Sequence, residues 1–340
     1  MVDPDRLVRI GVVGTGGIAQ VSHLPSFQRI PGAKVTAVCD NDLSKARRVA
    51  SRYNVPHVTE SFEELAGMDE VDAVVICLPN HLHLPAAVAA LRAGKHVLCE
   101  RPFSRSLDEA QEMVAAAKKH QRILMGGFNN RFREDAVVLK SFLTGGELGP
   151  VFYVKTGWLM QASTWSGAGW RKKRDLTGGG VLLDLGIQML DLALWLLDMP
   201  AVAAVSAALY PKPAADNLES TASALLRLAA GGTMALEVSW GLLMERDFAY
   251  VNLFGPQGAA LLNPLRLHKE MHGNLVNVTP TLSSPRNTYK MSYEAEIRHF
   301  VECVQTGSVP IAPGDEAVVL HEILDAMYRS ASEGCEVRLG

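Results

Sequence analysis

The sequence lacks an excess of either charge and lacks a long apolar run. Its 33 lysines and arginines stand against 36 aspartates and glutamates, which gives a formal net charge of -3. Nucleic-acid-binding surfaces are normally basic, so this balance argues against a nucleic-acid partner. No run approaches the roughly 18 apolar residues of a membrane helix, and Met1-Val2-Asp3-Pro4-Asp5 lacks the basic start of a signal peptide. We therefore expect no membrane partner.

Cysteine is also scarce, and no two cysteines form a Cys-x-x-Cys pair. The five are Cys39, Cys77, Cys99, Cys303 and Cys335, and the first three end apolar runs. This placement predicts small buried hydrophobic side chains in a reducing compartment, so we expect a cytoplasmic protein. With 340 residues, 48% of them hydrophobic and 20% charged, the chain has the composition of a globular protein of about two domains.

The N-terminal part alternates short apolar runs with helical patterns. The runs are Val8–Val13, Lys34–Cys39, Ala73–Cys77, His96–Cys99 and Ile123–Met125, and the helical patterns are Gly17–Gln28, Leu43–Tyr53, Leu84–Ala93 and Leu107–His120. Nearly continuous Val- and Ile-rich runs predict parallel strands buried on both faces. The alternation predicts an α/β Rossmann domain with a doubly wound parallel sheet. Gly126-Gly127 ends the alternation, so we place this domain at residues 1–126.

Residues 127–340 follow a different pattern. A helix is predicted at Glu134–Leu143, a strand at Val151–Leu159 and a very apolar helix at Val181–Leu197. Alternating stretches then predict the strands Val202–Tyr210, Ser220–Leu228, Thr233–Trp240 and Phe248–Phe254, and helices close the chain at Glu294–Gln305 and Glu316–Ser332. This pattern predicts an α+β domain with a large, mostly antiparallel, open-faced sheet. Helices on one face leave the other face in need of cover, so we expect that other face to be a self-association surface.

The first apolar run leads into the turn Gly14-Thr15-Gly16-Gly17-Ile18-Ala19. This G-x-G-x-x-A pattern between a strand and a helix is typical of a dinucleotide-binding loop. The first glycine permits a tight turn, the second lets a pyrophosphate approach the backbone, and the small third residue allows close helix packing. We expect Gly14, Gly16, Gly17 and Ile18 to contact the cofactor, because a helix N-terminus offers N–H groups to phosphate.

Asp40 follows the second predicted strand, 21 residues after Ala19. A carboxylate in this place accepts hydrogen bonds from ribose hydroxyls and repels a 2′-phosphate, so NAD(H) is favoured over NADP(H). Three nearby cations keep NADP(H) as a minority alternative, namely Lys45, Arg47 and Arg48. A second interpretation of Asp40 is that it belongs to a helix N-cap cluster with Asn41 and Asp42.

Three further motifs carry a family resemblance. They are Pro79-Asn80-His81-Leu82-His83, the segment Gly94–Pro102, and Gly178-Gly179-Gly180-Val181-Leu182-Leu183-Asp184-Leu185-Gly186. With the glycine loop, they resemble the glucose-fructose oxidoreductase/inositol dehydrogenase/rhizopine catabolism (Gfo/Idh/MocA) family over nearly the whole chain. The resemblance implies an NAD(P)-dependent oxidoreductase that acts on a sugar, a polyol or a related hydroxy compound. It also implies a homodimer or homotetramer joined through the open sheet. Cofactor contacts are implied for Pro79, Asn80, His83, Glu100 and Arg101.

The catalytic motifs of that family are altered here. Its Glu-Lys-Pro motif falls on Glu100-Arg101-Pro102, and its Asp-x-Gly-x-His motif falls on Asp184 to Gln188. Arginine stays protonated and glutamine does not titrate, so neither Arg101 nor Gln188 is able to take the proton that alcohol oxidation releases. We expect Arg101 to act as an electrophile or anion anchor and Asp184 as the base or its orienter, with Gln188 orienting a hydroxyl. Lys155 is a further candidate for the missing lysine.

Other interpretations of these positions stay open. Asp184, Gln188 and Asp191 form one polar stripe on an apolar helix, and either aspartate could form a structural ion pair with Arg101 or Arg171. Trp165, Trp170 and Arg171 lie in the loop before this helix. Trp170 and Arg171 are expected to bind substrate together with Asp184 and Gln188, although loop packing would also explain the tryptophans. His268 and His272 have no setting that indicates a metal site.

The sequence therefore leaves more than one function open. The leading expectation is an NAD(H)-dependent oxidoreductase with an altered proton relay. A protein that binds NAD with little or no turnover, as a sensor or partner subunit, is the alternative that the changes at Arg101 and Gln188 favour. Non-redox chemistry with bound NAD is a weaker third possibility. The substrate itself is not specified by these motifs.

Overall fold

The computed structural model describes residues 6–162, 169–211, 218–282 and 288–340; Trp165 lies outside them. The chain forms two compact units, one of Met1–Asn129 with Tyr289–Val318 and the other of Asn130–Thr288 with Val319–Gly340. The domain boundary predicted at residue 126 makes each domain one continuous segment of chain. In the structure, the first unit also includes Tyr289–Val318 from the C-terminal part of the chain. Its hydrogen bonds explain why: Gly126 N–H donates to the Ala312 carbonyl at 2.9 Å, and Asn129 Nδ2 donates to Ser292 Oγ at 2.9 Å.

The first unit is built on a parallel sheet of six strands in the order β3-β2-β1-β4-β5-β6. Its strands are β1 (Val8–Val13), β2 (Ala33–Cys39), β3 (His57–Thr59), β4 (Ala73–Ile76), β5 (His96–Glu100) and β6 (Leu124–Gly127). The helices that join them are a π-helix at Ala19–His23, α1 (Leu24–Phe27), α2 (Leu43–Tyr53), α3 (Phe62–Gly67), a 3₁₀ turn at Asn80–Leu82, α4 (His83–Arg92) and α5 (Leu107–His120). The predicted doubly wound Rossmann domain is thus confirmed. Strand order reverses between β1 and β4, and this reversal creates a crevice at the carboxyl ends of the strands.

The second unit contains a sheet of nine strands in the order β14-β13-β12-β11-β7-β10-β9-β8-β15. They are β7 (Tyr153–Gln161), β8 (Val202–Pro211), β9 (Glu219–Leu228), β10 (Thr233–Leu242), β11 (Phe248–Gly255), β12 (Gly258–Leu262), β13 (Arg266–Met271), β14 (Asn274–Asn277) and β15 (Val337–Arg338). Among the described strands of this second sheet, only β7 and β10 pair in parallel, so the predicted mostly antiparallel sheet is confirmed. The sequence did not indicate β12 to β15, because β13 and β14 are largely polar and β15 has two residues.

The remaining helices follow the chain order. They are a 3₁₀ turn at Asn129–Phe132, α6 (Glu134–Thr144), a 3₁₀ turn at Gly169–Lys172, α7 (Arg174–Thr177), a π-helix at Leu182–Gly186, α8 (Ile187–Leu196), α9 (Thr288–Thr306) and α10 (Gly314–Glu333). The single helix expected at Val181–Leu197 is therefore a π-helical turn that continues into α8. By length and composition, Arg174–Leu196 could cross a membrane, although no such segment was expected from the sequence. However, 89% of its 18-residue window is buried within the chain, as in the core helix of a folded domain.

The two faces of the nine-stranded sheet differ. Thr156 Oγ1 donates to the Met189 carbonyl of α8 at 3.4 Å, which marks the face that the helices cover. The opposite face carries a groove of 510 Å³ with many small residues, lined by Lys155, Ser206, Ala208, Ser223, Leu225, Ala235, Glu237 and Tyr250. Leu225 in this groove is 47% exposed. A partly apolar sheet face that none of the described helices covers is typical of a subunit interface.

We expect the purified protein to be a dimer or a larger oligomer at micromolar concentration, joined through this sheet face. Leu225→Glu should shift it toward the monomer, because the substitution places a charge in the apolar groove. Light scattering after size-exclusion chromatography measures the mass. Val137→Glu, at an exposed apolar residue of α6, is the matched control. A monomeric unmutated protein at this concentration would contradict the prediction.

Candidate active site

The glycine loop after β1 has the backbone geometry of a phosphate-binding turn. Gly14 has φ +93°, and a Cβ atom at this residue would collide with the Cys77 carbonyl oxygen, so only glycine fits. Apart from adjacent residues of the chain, no atom of the described residues lies within 4 Å of the place that a Cβ would take at Gly16 or Gly17. The loop therefore has open space above its backbone, at the carboxyl edge of the sheet and at the start of a helix. This is the arrangement that a pyrophosphate requires.

Asp40 lies at the carboxyl end of β2 and is 6% exposed. Its Oδ2 accepts hydrogen bonds from Thr15 N–H and Thr15 Oγ1, both at 2.8 Å, and pairs with Lys45 Nζ at 2.8 Å. Its Oδ1 accepts from Asp42 N–H at 3.0 Å. Burial by itself raises the pKa of Asp40, but Lys45 and these hydrogen bonds lower it below its usual value. Asp40 is therefore an ionised acceptor fixed to the glycine loop, and the N-cap of α2 is Asp42.

We expect Asp40→Ala to lose the preference for NADH over NADPH. The substitution removes an acceptor for a ribose hydroxyl, a hydrogen bond worth about 1.5 kcal/mol, which is about tenfold in affinity for NADH. Titration of both cofactors by fluorescence measures the two dissociation constants. Asp42→Ala is the matched control, because it removes the carboxylate that caps α2 and leaves Asp40 in place. Tighter binding of NADPH than of NADH by the unmutated protein would contradict our assignment.

Glu100 takes part in a buried cluster that the sequence did not indicate. Its Oε1 lies 2.6 Å from Nε2 of His23, whose side chain is fully buried, and its Oε2 accepts from Arg101 N–H at 3.1 Å. Burial by itself lowers the pKa of His23, but neighbouring Cys77 and Glu100 raise it above its usual value. Glu100 was expected to contact the cofactor. In the structure it joins the helix after the glycine loop to the backbone of Arg101, whose own side chain is half-buried.

The imidazole of His83 lies against the backbone at the start of α4. The side chain is fully buried, with Nδ1 2.9 Å from the Pro102 carbonyl oxygen and Nε2 2.8 Å from the Leu78 carbonyl oxygen. Burial lowers the pKa of His83 below its usual value, and the two backbone carbonyls oppose this shift. Both ring nitrogens face backbone carbonyl oxygens, and the cofactor contact of His83 stays a prediction. The half-buried Pro79 and the buried Asn80 lie beside it, after the carboxyl end of β4.

Asp184 is the partly exposed acid of an otherwise buried helix in the second unit. It lies in the π-helix Leu182–Gly186, and it is the one residue between positions 181 and 194 that is not buried. Trp240 Nε1 donates to Asp184 Oδ2 at 3.0 Å, and Gln188 Nε2 donates to the Asp184 backbone carbonyl at 2.9 Å. Gln188 therefore supports the helical turn. Single-turn π-helices occur frequently at functional sites, where they turn a side chain out of the regular helix.

Asp191 does not share this exposure. It is fully buried, and both of its oxygens accept hydrogen bonds from the guanidinium of Arg131, which is 1% exposed. The structural ion pair that the sequence left open thus belongs to Asp191, and its partner is neither Arg101 nor Arg171. Arg131 gave no signal in the sequence, because 60 residues separate it from Asp191.

Lys155 is placed on the wrong side of the sheet for the predicted role. Its strand partners Ala235 and Asn252 lie on the open face with it, whereas neighbouring Thr156 faces α8. Lys155 and Asp184 are therefore on opposite faces, since side chains alternate along a strand. In the loop before Asp184, the Arg171 guanidinium lies 5.0 Å from the Trp170 ring centroid, so these two predicted substrate contacts are neighbours.

Two family models match the chain in succession. One, described as an oxidoreductase family with an NAD-binding Rossmann fold, covers residues 8–128, and the other, the C-terminal alpha/beta domain of the same family, covers residues 140–339. The chain belongs to the Gfo/Idh/MocA oxidoreductase family. The resemblance found in the sequence is confirmed, and the first unit is an NAD-binding domain.

Individual members of the family match over nearly the full chain. D-glucoside 3-dehydrogenase of Escherichia coli is 30% identical over 98% of this chain and 97% of its own length. Trans-1,2-dihydrobenzene-1,2-diol dehydrogenase of Mus musculus is 30% identical over 94% of this chain and 95% of its own length. Among solved structures, GenD2 from gentamicin A biosynthesis in complex with NAD has a TM-score of 0.86 at 26% identity, covering 98% of this chain and 97% of that one.

Proposed function

We propose that this protein is an NAD-dependent dehydrogenase or reductase of a sugar, polyol or related hydroxy compound. The observation that carries the proposal is the half-buried Asp184 carboxylate, which Trp240 orients within an otherwise buried helix. Support comes from the relatives, one of which is named as a glucoside dehydrogenase. When bound, the NAD⁺ nicotinamide accepts a hydride from the carbon that bears the reacting hydroxyl.

The residues of the chain bind the cofactor, orient the substrate and accept the proton. Gly14, Gly16, Gly17 and Ile18 hold the pyrophosphate, and Asp40 accepts from the adenosine ribose. In the second unit, the Asp184 carboxylate accepts the proton of the reacting hydroxyl or orients the group that does so. The Trp240 N–H bond fixes the carboxylate plane before substrate binds, and such a fixed orientation is the contribution that geometry makes to the rate.

Arginine in place of the family's lysine favours a substrate with an acidic group. A guanidinium presents a rigid fork of N–H donors that suits a carboxylate or a phosphate better than an ammonium does. The loop before Asp184 is also basic, with Arg171, Lys172, Lys173 and Arg174 all exposed in a protein of net charge -3. Uronic acids, sugar phosphates and nucleotide sugars are therefore the candidate substrates, with Arg101 as the anion anchor.

The test is a comparison of neutral and acidic sugars by NADH absorbance, with the unmutated protein and Arg101→Lys. On its acidic substrate, Arg101→Lys should lower kcat/KM by about tenfold or more, since hydrogen bonds between charged groups contribute about 1.5 to 3 kcal/mol. Lys173→Arg in the basic loop is the control for an exchange of one cation for another. The double change Arg101→Lys with Gln188→His should lower this activity further.

Three results would contradict parts of the proposal. Turnover of neutral polyols alone, unaffected by Arg101→Lys, would exclude the anion anchor. If only the double variant oxidises neutral polyols, the usual chemistry of the family has been lost from this chain. NADH binding without turnover of any compound in any form would favour the sensor function instead.

A further inference from the structure

Two of the three glycines before Asp184, Gly179 and Gly180, lie where the neighbouring residues leave no space for a side chain. A Cβ atom at Gly180 would collide with the main chain of Glu219 and lie 2.8 Å from its Cδ. A Cβ atom at Gly179 would collide with the hydroxyl of Tyr328. These two positions therefore accept no side chain, because Glu219 and Tyr328 occupy the space. The glycines admit a glutamate from β9 and a tyrosine from α10 to the start of the helix that bears Asp184.

Glu219 binds the first turn of this helix. It is 3% exposed, and its Oε1 accepts hydrogen bonds from Gly180 N–H at 2.8 Å, Leu182 N–H at 3.2 Å and Tyr328 Oη at 2.8 Å. The N–H groups at a helix start have no partner within the helix, and a carboxylate there also interacts favourably with the helix dipole. Arg174 Nη1 lies 3.9 Å from Glu219 Oε2, and its positive charge partly compensates the negative charge of the buried carboxylate.

The Tyr328 hydroxyl binds the same oxygen of the Glu219 carboxylate as the two N–H groups. Burial and the Glu219 charge raise the pKa of Tyr328 well above the ordinary value, so its hydroxyl stays protonated and donates to Glu219 at neutral pH. The guanidinium of Arg174 lies 5.7 Å from the Tyr328 ring centroid, so the same cation also contacts the tyrosine.

One residue, Gly180, connects Glu219 to Asp184 through hydrogen bonds of its backbone. Gly180 donates its N–H to Glu219, and its carbonyl oxygen accepts from Asp184 N–H at 3.1 Å. The backbone of Asp184 is thereby fixed at one end by Glu219, while its carboxylate is fixed by Trp240. A shift of the Gly180 turn would move Asp184 with it and would change its bond to Trp240.

We propose that Glu219 and Tyr328 are positioning residues, which set the place of the Asp184 carboxylate through the Gly180 turn. The effect on turnover rests on the function proposed above, whereas the effect on the position of Asp184 does not. Loss of the Glu219 acceptor leaves two N–H groups of the turn without their partner. Loss of the Tyr328 hydroxyl leaves the carboxylate with one donor fewer and room to rotate.

The experiment uses the bond between Trp240 and Asp184 as a signal that is independent of activity. The full-length protein is labelled with 5-fluorotryptophan, its ¹⁹F spectrum is recorded, and the Trp240 resonance is assigned with Trp240→Phe. We expect this resonance to shift in Glu219→Ala and less in Tyr328→Phe. Glu219→Gln keeps an acceptor oxygen, so its Trp240 resonance should stay at the position found in the unmutated protein. If Glu219→Ala fails to fold, Tyr328→Phe and Glu219→Gln still decide the matter.

A second glutamate and tyrosine supply the matched control. Tyr250 Oη donates to Glu237 on the open face of the same sheet, away from α8. Glu237→Ala and Tyr250→Phe should leave the Trp240 resonance unchanged. An unshifted resonance in both Glu219→Ala and Tyr328→Phe, or an equal shift in the controls, would overturn the proposal.

Kinetics then test the consequence for the reaction. In Glu219→Ala, kcat should fall between about tenfold and 10²-fold with little change in KM for NAD⁺, because small displacements of a reacting group carry penalties of this size. A shifted resonance with unchanged kcat would overturn the catalytic part of the inference. If the unmutated protein turns over no sugar, the proposed function fails, and the ¹⁹F spectra alone decide whether Glu219 and Tyr328 position Asp184.

Discussion

Asp184→Asn is expected to lower kcat/KM by about 10² to 10⁴, the range that a positioned acid-base group contributes. The asparagine side chain keeps the shape of the aspartate, and its carbonyl oxygen still accepts the Trp240 N–H bond seen at 3.0 Å. The substitution therefore removes the charge and the proton acceptor without removing the contact that orients the side chain. Initial rates with NAD⁺ and the preferred substrate give the effect, and the affinity for NADH should stay unchanged.

The control for Asp184→Asn is Asp198→Asn. Asp198 is also an aspartate of the second unit, its side chain is 79% exposed, and it pairs with Lys140 at 2.7 Å. An exposed ion pair of this kind contributes little to stability, so the control should match the unmutated protein in rate and in folding. A loss of less than twofold in Asp184→Asn would remove this carboxylate from the mechanism.

Asp191→Ala is expected to destabilise the second unit by about 3 to 5 kcal/mol, because it leaves the charge of the buried Arg131 without its carboxylate partner. The pair is among the most buried in the described part of the chain, with side-chain exposures of 0% for Arg131 and 1% for Asp191. Urea unfolding followed by tryptophan fluorescence measures the free energy of unfolding of this unit, since Trp158, Trp165, Trp170, Trp195 and Trp240 all belong to it.

The double variant Asp191→Ala with Arg131→Met separates the cost of an unpaired charge from the cost of lost packing. Removing both charges is often close to neutral when the replacements fill the space, so the double variant should recover much of the stability. NADH affinity should be the same in both variants, because the Rossmann domain is unchanged. Equal instability of the single and the double variants would show that packing, and not charge, determines the effect.

The sequence predicted the parts of the site that depend on local patterns. The glycine loop, Asp40 at the end of β2 and Asp184 on an apolar helix are each recognisable within a few residues of chain. The sequence did not show the surroundings of the other candidate residues. His83 and Lys155 are titratable residues near recognised motifs, yet the first is enclosed by two backbone carbonyls and the second faces away from α8.

By itself, the sequence determined the two fold classes, the family and NAD as the cofactor. Apolar periodicity and glycine spacing are properties of neighbouring residues, so they are visible without any tertiary contact. Only the tertiary structure decided which acid is buried and which is accessible. Asp184 and Asp191 lie on one apolar stretch of chain. Arg131 binds the buried Asp191. Trp240 binds the carboxylate of Asp184, and Glu219 binds the Gly180 turn before it, both from distant strands. Such partners are far apart in the chain and meet only when the sheet and its helices have packed.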